Sequence, residues 1–295
     1  MSLVINHNLM AMNAARNLGV SYGNLETSTR RLSSGLRITQ SSDDAAGLAV
    51  RELMRSDISS LQQGIRNAND GISLIQTADG ALGVIDEKLI RMKELAMQAS
   101  TGTYNSDQRL IIDSEYQAMA SEITRIANST DFNGIYLLNG NLSAATHDGS
   151  GLKATGKLKV HFGTGNDCSE DYYYIQINTA TASALGVGLG ATGSAGRSIS
   201  TQELAQQSLD VLNKAIISKD KIRANLGALQ NRLENTVTVL GIQAENVQAA
   251  ESRISDVDVA SEMTEFVRNQ ILTQSAVSML AQANSMPRMA LSLLG

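Results

Sequence analysis

The sequence is poor in several residue types on which folded proteins of its size usually rely. Only 3% of its 295 residues are aromatic, and tryptophan is absent. Because large globular cores depend on aromatic area, this composition favours thin helical seams of small aliphatic residues. The single proline, Pro287, and a charged content of 18% favour long uninterrupted helices.

Other absences narrow the class of protein further. The only cysteine, Cys168, excludes an intrachain disulfide framework. No apolar run approaches the ~20 residues of a transmembrane helix, and the first residues lack the basic and apolar regions of a secretory signal. A net charge of -5 without a basic run argues against a nucleic-acid partner. Taken alone, these absences predict a cytoplasmic protein with no nucleic-acid or membrane partner.

Apolar residues recur at the three- and four-residue spacing of coiled-coil seams. One such seam extends from Met54 to Ala99. Its spacing changes once, between Ile75 and Ala78, which indicates a local shift in supercoil register. A shorter helix follows over residues 112–126, so these two helices are predicted to form an antiparallel hairpin. An earlier seam lies ahead of these two helices in the chain. It is predicted to contain Ala11, Ala15, Leu18, Tyr22, Leu25, Thr29, Leu32 and Leu36.

Helix returns in the last third of the chain. Ser200 and Glu203 form a capping box, and a seam from Ile222 to Ile254 follows. The seam then continues, with a broader stripe, through Met263, Phe266, Val277 and Leu280. The predicted fold class is therefore mainly α: a long coiled-coil helical rod whose amino- and carboxy-terminal helices lie side by side, with a small β-hairpin region inserted between them.

The middle of the chain is predicted to hold that β-hairpin region, over about residues 132–198. Two Asn-Gly pairs, at 133–134 and 139–140, are strong hairpin signals. The segments KLKVHF (157–162) and YYYIQI (172–177) are typical of strands joined by a turn. The Gly-, Ser- and Thr-rich segment 179–198 is predicted to be a loop.

No set of residues in the sequence is arranged for catalysis. Residues 188–193 fit G-x-G-x-x-G, but a dinucleotide site requires a parallel βαβ unit, and the preceding strands indicate an antiparallel hairpin. His7, His147 and His161 lack metal-ligand spacing. Cys168 lies among acidic residues, which disfavour a reactive thiolate. The sequence thus predicts no enzyme, no cofactor and no metal.

The two ends of the chain are apolar where termini usually fray into water. The last seventeen residues, MLAQANSMPRMALSLLG, contain one charge, Arg288. The cost of ordering the backbone of both tails is not met by burying a single seam of apolar side chains between them. The tails are therefore predicted to need neighbouring molecules that cover their other faces.

Several separate motifs resemble those of bacterial flagellins. The resemblance covers about residues 1–140 and 198–295, with the motifs in the family's order. The motifs are RRLSSGLRI (30–38), DDAAGLA (43–49), NANDGIS (67–73), FNG (132–134), LAQAN (280–284) and LSLL (291–294).

The resemblance implies a structural subunit of the flagellar filament, the propeller for swimming. It implies export through the flagellar type III channel without a cleaved signal peptide, which replaces the cytoplasmic expectation with an extracellular filament. Residues 1–43 and 255–295 would form an inner terminal coiled-coil domain, and residues 44–254 a rod domain. Since few residues remain for the large outer domains of many flagellins, those domains are expected to be absent.

The same resemblance implies partners and an assembly interface. The chain would bind further copies of itself, an export chaperone, the filament cap and hook-junction proteins. From the ordering cost of the tails and the marginal stability of isolated helices, we also expect residues 1 to about 43 and about 255 to 295 to be largely disordered in the monomer and to become helical on polymerisation. The residues predicted to form the assembly interface are Leu18, Leu25, Leu32, Met263, Phe266, Val277, Leu280, Leu291 and Leu294.

One segment also resembles the flagellin site that a vertebrate Toll-like receptor senses. The stretch 90–97 (IRMKELAM) places Arg91 and Leu95 on that site, and Glu115 matches its acidic position. The competing interpretation of the whole chain is a hook-filament junction protein or another secreted helical adaptor. The match at both ends of the chain favours the filament subunit.

Overall fold

The computed structural model describes residues 8–144, 146–148, 155–167, 170–188 and 195–294. Within these residues, five long helices and three short antiparallel strand pairs confirm the mainly α fold class. The helices are α1 (Leu9–Ser34), α2 (Ala45–Ser100), α3 (Ser106–Ser129), α4 (Gln202–Ser255) and α5 (Val259–Leu294). The strands are β1 (Asp131–Phe132), β2 (Ile135–Tyr136), β3 (His147–Asp148), β4 (Thr155–Gly156), β5 (Leu158–His161) and β6 (Tyr172–Ile175).

The chain divides into two compact units. The terminal unit comprises Met1–Ile58 and Glu245–Gly295, and the central unit comprises Ser59–Ala244. The predicted boundaries at 43/44 and 254/255 describe layers of a filament, and they stay a prediction.

In the terminal unit, helix α1 has well-defined caps at both ends. The side chain of Asn8 accepts a hydrogen bond from the backbone N–H of Ala11, and Gly35 ends the helix with a φ of 71°. Glycine adopts this left-handed conformation without a steric penalty. The next residue, Leu36, pairs antiparallel with Asp256, and the backbone N–H of Arg37 donates to the carbonyl of Ser255 at 2.7 Å. The end of α1 is thereby attached to the junction of α4 and α5.

The loop between α1 and α2 is organised around one carboxylate. Asp43 accepts hydrogen bonds from the backbone N–H groups of Thr39 and Gln40, both at 3.1 Å, and from the guanidinium of Arg30 at 3.2 Å. The backbone hydrogen bond from Thr39 contributes most to holding the pKa of Asp43 below its ordinary value. The turn is thus fixed by a carboxylate that stays ionised.

In the central unit, α2, α3 and α4 share one hydrophobic core. The seam predicted for α2 is buried or half-buried from Leu61 to Ala99. Tyr116 of α3 is fully buried and donates its hydroxyl to the carbonyl of Gly196 at 2.7 Å, and this burial raises its pKa above the ordinary value. The contact fixes the segment that precedes α4 against α3.

Four charged residues link α2 to α4 in the central unit. Lys219, only 2% exposed, contacts Asp86 at 2.6 Å. Arg223 donates to both carboxylate oxygens of Asp79, at 2.7 and 3.0 Å. These hydrogen bonds hold the pKa of Asp79 below its ordinary value. Because such pairs require specific partners, they select one register of α2 against α4.

The predicted hairpins are confirmed in part. Asn133 and Gly134, with φ values of 52° and 77°, form the turn between β1 and β2. The segments 157–162 and 172–177 contain the antiparallel strands β5 and β6. Cys168, which is expected in the turn between them, lies outside the described residues. The prediction for 139–140 is wrong, because described residues 137–144 form bends and a turn without strands.

The β5–β6 hairpin packs closely on α2 because α2 has a glycine at the point of contact. A Cβ atom at Gly64 would lie 2.0 Å from the carbonyl oxygen of Phe162, whereas a Cβ at Gly80 would meet nothing within 4 Å. The side chain of Asn67 donates to the carbonyl of His161 at 2.8 Å nearby. The hairpin therefore lies against α2 at backbone distance.

The two glycines give a matched prediction. Alanine favours helix over glycine by about 1 kcal/mol, so Gly80→Ala is expected to raise the free energy of unfolding by that amount. Gly64→Ala is expected to lower it by about 1–3 kcal/mol, since the hairpin backbone must move. Urea unfolding of both variants measures the difference. Equal stability of the two variants would contradict the close approach.

Candidate assembly interface

Helices α1 and α5 pair antiparallel in the terminal unit. Near one end, the guanidinium of Arg31 lies 3.5 Å from the carboxylate of Glu262. Near the other end, the side chain of Asn8 donates to the carbonyl of Ala283 at 2.7 Å. These two contacts fix the register of the pair.

The residues of α1 that face α5 are only partly those that the sequence predicted. Leu18, Leu25 and Leu32 lie on this side, but the residues between them are small. The prediction of Tyr22 in the seam is wrong, because its side chain is 53% exposed; Ala15 and Thr29 are also exposed. Small residues allow the two backbones to approach closely, which explains the difference from the prediction. The buried or half-buried positions on this side include Ala11, Ala14, Leu18, Ser21, Leu25, Ser28 and Leu32.

The facing side of α5 is also partly polar. Phe266 and Leu280 lie on it as predicted, but Asn269 and Thr273, at 8% and 7% exposure, lie between them. The prediction of Met263 and Val277 as members of this seam is wrong, since both are exposed, at 45% and 46%. Leu291 and Leu294 belong to α5, and their side chains lie outside the described part of the chain.

Many large apolar side chains of α1 and α5 instead lie outside this seam, on the exposed surfaces of the pair, which are here called the outer faces. Their exposures lie between 45% and 65%. A dense apolar surface of this kind marks a site of interaction with other molecules. The outer faces comprise Leu9, Met10, Met12, Val20 and Tyr22 of α1, with Val259, Met263, Val267, Ile271, Leu272, Val277, Met279 and Met289 of α5.

The terminal unit therefore has an inverted distribution of side chains. Its internal seam contains small and polar residues, while its outer faces hold most of the bulky apolar ones. In a self-sufficient helical pair, the apolar stripe would face the partner helix. Such an arrangement is suited to burial against several neighbouring molecules at once.

Comparison with known proteins identifies the family. The model of the bacterial flagellin N-terminal helical region matches residues 5–143, and that of the C-terminal helical region matches residues 209–294. The chain belongs to the bacterial flagellin family. The matched ranges contain all five helices except the first residues of α4, so the family's helical regions correspond to both units.

Two flagellar proteins match this chain along their whole length. The chain is 43% identical over 292 residues to the flagellar filament 33 kDa core protein of Treponema phagedenis, covering 99% of this chain and 100% of the relative. It is 41% identical over 292 residues to a flagellin of Halalkalibacterium halodurans, with the same coverage. Since neither relative contains a long insertion, the expectation of a short flagellin is confirmed.

A solved structure supports the fold. A flagellar hook-associated protein structure from Vibrio parahaemolyticus has a TM-score of 0.55, covering 72% of this chain and 100% of that one. Its sequence identity is 14%, so this similarity concerns the fold alone. The alternative of a junction-type adaptor has no comparable support in sequence, because the full-length relatives above are filament proteins and flagellins.

Flagellins are structural proteins, and the prediction that the chain is not an enzyme is confirmed by family membership. Among the described residues, no group of three His, Cys, Asp or Glu could hold a metal ion. No helix in the described part of the chain is long and apolar enough to cross a membrane. Most of the G-x-G-x-x-G segment, and also His7, lie outside the described ranges.

The residues predicted to contact a Toll-like receptor do not share one surface. Arg91 contacts the carboxylates of Glu94 and Glu115, both at 2.9 Å, and all three are exposed. The hydrogen bond from Arg91 to Glu115 is the main cause of a raised pKa of Arg91. Leu95 is only 2% exposed and belongs to the core. A four-residue step turns about 40° around a helix, and here that turn carries Leu95 inside, so its prediction as a contact residue is corrected.

Proposed function

We propose that this chain polymerises into the flagellar filament through the outer faces of α1 and α5. The inverted distribution of side chains in the terminal unit is the observation that supports this mechanism. Burying each bulky apolar side chain against a neighbour contributes about 1.5–3 kcal/mol. The gain from the polymer therefore exceeds what the thin, partly polar seam provides within one chain.

The predicted layers follow from the same reasoning. Residues 1–43 and 255–295 form the inner layer of the filament, where neighbouring subunits cover the outer faces. Residues 44–254 form the surrounding layer, and its core is satisfied within the chain. Polymerisation is then limited to the segments that cannot bury their apolar side chains alone.

Export and the remaining partners are also proposals. The subunit leaves the cell unfolded through a narrow channel, without a cleaved signal, and joins an extracellular filament. A chain with one cysteine has no intrachain disulfide to break before passage. An export chaperone covers the apolar outer face of α5 before assembly, and the cap and hook-junction proteins contact the same terminal helices in the filament.

Electron microscopy of the purified chain tests the proposed function. Sulfate salts strengthen apolar burial, so their addition is expected to convert the monomer into long, uniform polymers of this chain alone. A junction-type adaptor would instead stay short and need a second protein. Failure to form long polymers at any salt concentration would reject the filament mechanism.

A second proposal concerns immune recognition. A vertebrate Toll-like receptor binds the exposed surface around Arg91 and Glu115, with Ile90 and Met97, 48% and 56% exposed, supplying apolar area beside them. Leu95 supports this surface from within the core and does not contact the receptor.

Arg91→Ala is expected to weaken receptor activation by about tenfold or more, because charge-assisted hydrogen bonds contribute about 1.5–3 kcal/mol. The fold should be unaffected, since exposed ion pairs contribute little to stability. A cell reporter assay with monomeric protein measures this effect. Arg125→Ala is the matched control, since Arg125 is an exposed arginine paired with Glu122 on α3. Equal activity of the Arg91 variant and the wild type would remove the proposal.

A further inference from the structure

Two adjoining hollows lie between the β5–β6 hairpin and α4 in the central unit. Their volumes are about 490 and 570 Å³, within the range of small-molecule sites. Both are lined by Ala228 and Arg232 of α4. The two hollows therefore adjoin each other along α4, and together they are here called the cleft.

The α4 wall of the cleft is a single helix face rich in amides. Asn225, Asn235 and Gln243 line it, with Ala228, Arg232 and Val239 between them. Their positions follow steps of three and four residues, which place them on one side of the helix. From the first to the last, the wall extends over about 27 Å, so it fits an elongated ligand better than a compact one.

The hairpin wall adds further amides and an aromatic surface. Gln176 and Asn178 line the first hollow beside Tyr174, whose side chain is 39% exposed. Tyr174 contacts the edge of Tyr172, with ring centroids 5.3 Å apart. In the second hollow, the guanidinium of Arg232 stacks on the ring of Tyr173 at 3.7 Å. The cleft thus combines flat apolar rings with groups that both donate and accept hydrogen bonds.

This chemistry fits a sugar chain. Each amide offers two donors and a carbonyl acceptor, which matches the alternating donors and acceptors of sugar hydroxyls. The apolar face of a sugar ring can pack on a tyrosine, which has an apolar body and a polar tip. Amides outnumber the charged lining residues, Arg232 and Glu170, which favours a neutral ligand over an acidic polymer. We propose that the cleft binds a neutral oligosaccharide of several rings.

Saturation-transfer NMR and titration calorimetry on the full-length monomer test this proposal, with cellotetraose and chitotetraose as probes. At least one probe is expected to bind wild-type protein. Tyr174→Ala is expected to weaken binding by about two- to tenfold, since one aromatic contact contributes about 0.5–1.5 kcal/mol. Asn225→Ala is expected to weaken it by a similar factor, because it removes the hydrogen bonds of one amide. Absence of binding by both probes would overturn the proposal.

Matched controls separate loss of the cleft from loss of structure. Tyr136 is also 39% exposed but lies on β2 away from the cleft, and Asn246 is an exposed asparagine of α4 beyond it. Tyr136→Ala and Asn246→Ala should bind the probe like the wild type, and all variants should retain helical circular dichroism. Equal weakening by cleft and control variants would overturn the assignment.

Polymerisation of the same variants keeps this proposal distinct from the filament mechanism. Tyr174→Ala and Asn225→Ala are expected to polymerise normally, and filaments are expected to bind the probe at many repeated sites. Loss of polymerisation in these variants would assign the cleft to a contact between subunits and reject the sugar site. Normal sugar binding by a chain that never polymerises would instead reject only the filament mechanism.

Discussion

Replacing Ile271 and Val277 together by aspartate is expected to abolish polymerisation while the chain stays folded. Both side chains are exposed in the single chain, at 58% and 46%, so the new charges remain in water there and cost little. In a polymer that covers the outer face of α5, the same charges would be buried without partners, at a cost of several kcal/mol each. Sedimentation and electron microscopy measure the loss, and circular dichroism measures the fold.

The matched control keeps the apolar character of the same positions. Ile271→Leu combined with Val277→Leu is expected to polymerise, because the buried apolar area is nearly unchanged. Leu291→Asp with Leu294→Asp is predicted to behave like the first aspartate pair. Normal filaments from the Ile271→Asp and Val277→Asp variant would show that the outer face of α5 is not an assembly surface.

Asp86→Ala is expected to lower the free energy of unfolding by about 3–5 kcal/mol, because it leaves a buried cation without its closest partner. Lys219 is only 2% exposed and lies 2.6 Å from Asp86. Its other contact, Asp220 at 2.7 Å, is 59% exposed and offers weaker compensation. Urea unfolding of the monomer measures the change.

Lys219→Met provides the contrast at the same pair. Methionine fills the volume without a charge, and Asp86, which is 27% exposed, can return to water. Removing the cation is therefore expected to cost clearly less than removing the carboxylate. A larger destabilisation by Lys219→Met than by Asp86→Ala would mean that the buried charge is not what makes the pair necessary.

The helices of the central unit could be predicted from sequence because their buried positions are occupied by apolar residues. Leu82, Ile85, Leu89 and Met92 are all fully buried, and their spacing of three and four residues indicates one helix face. The buried Lys219 on α4 could not be found in this way, since an isolated lysine in the sequence resembles a solvated one. Its role depends on Asp86, more than a hundred positions earlier in the chain.

The residues through which α1 and α5 face each other could not be predicted, for a related reason. Hydrophobic periodicity shows which side chains avoid water, but it does not show which neighbour covers them. In α1 and α5 the facing positions include Ser28, Asn269 and Thr273, which are all buried, while bulky residues such as Val277 belong to the outer faces. The apolar periodicity of α1 and α5 therefore includes residues of the outer faces as well as residues of the contact between the two helices.

The receptor surface shows a similar limit of spacing arguments. Arg91 and Leu95 lie four residues apart, but one is exposed and the other buried. Near the border between the core and solvent, a rotation of about 40° is enough to separate them. The partner of Arg91 on α3, Glu115, was predictable only through the resemblance to flagellins.

Limited trypsin digestion of monomers and of filaments tests the central claim most directly. Arg16, Arg30, Arg268 and Arg288 all lie in α1 or α5. If the terminal helices are held mainly by neighbouring subunits, trypsin should cut these sites rapidly in monomers, leave the central unit intact, and spare the same sites in filaments. Terminal sites that resist trypsin equally in monomers and in filaments would contradict the account.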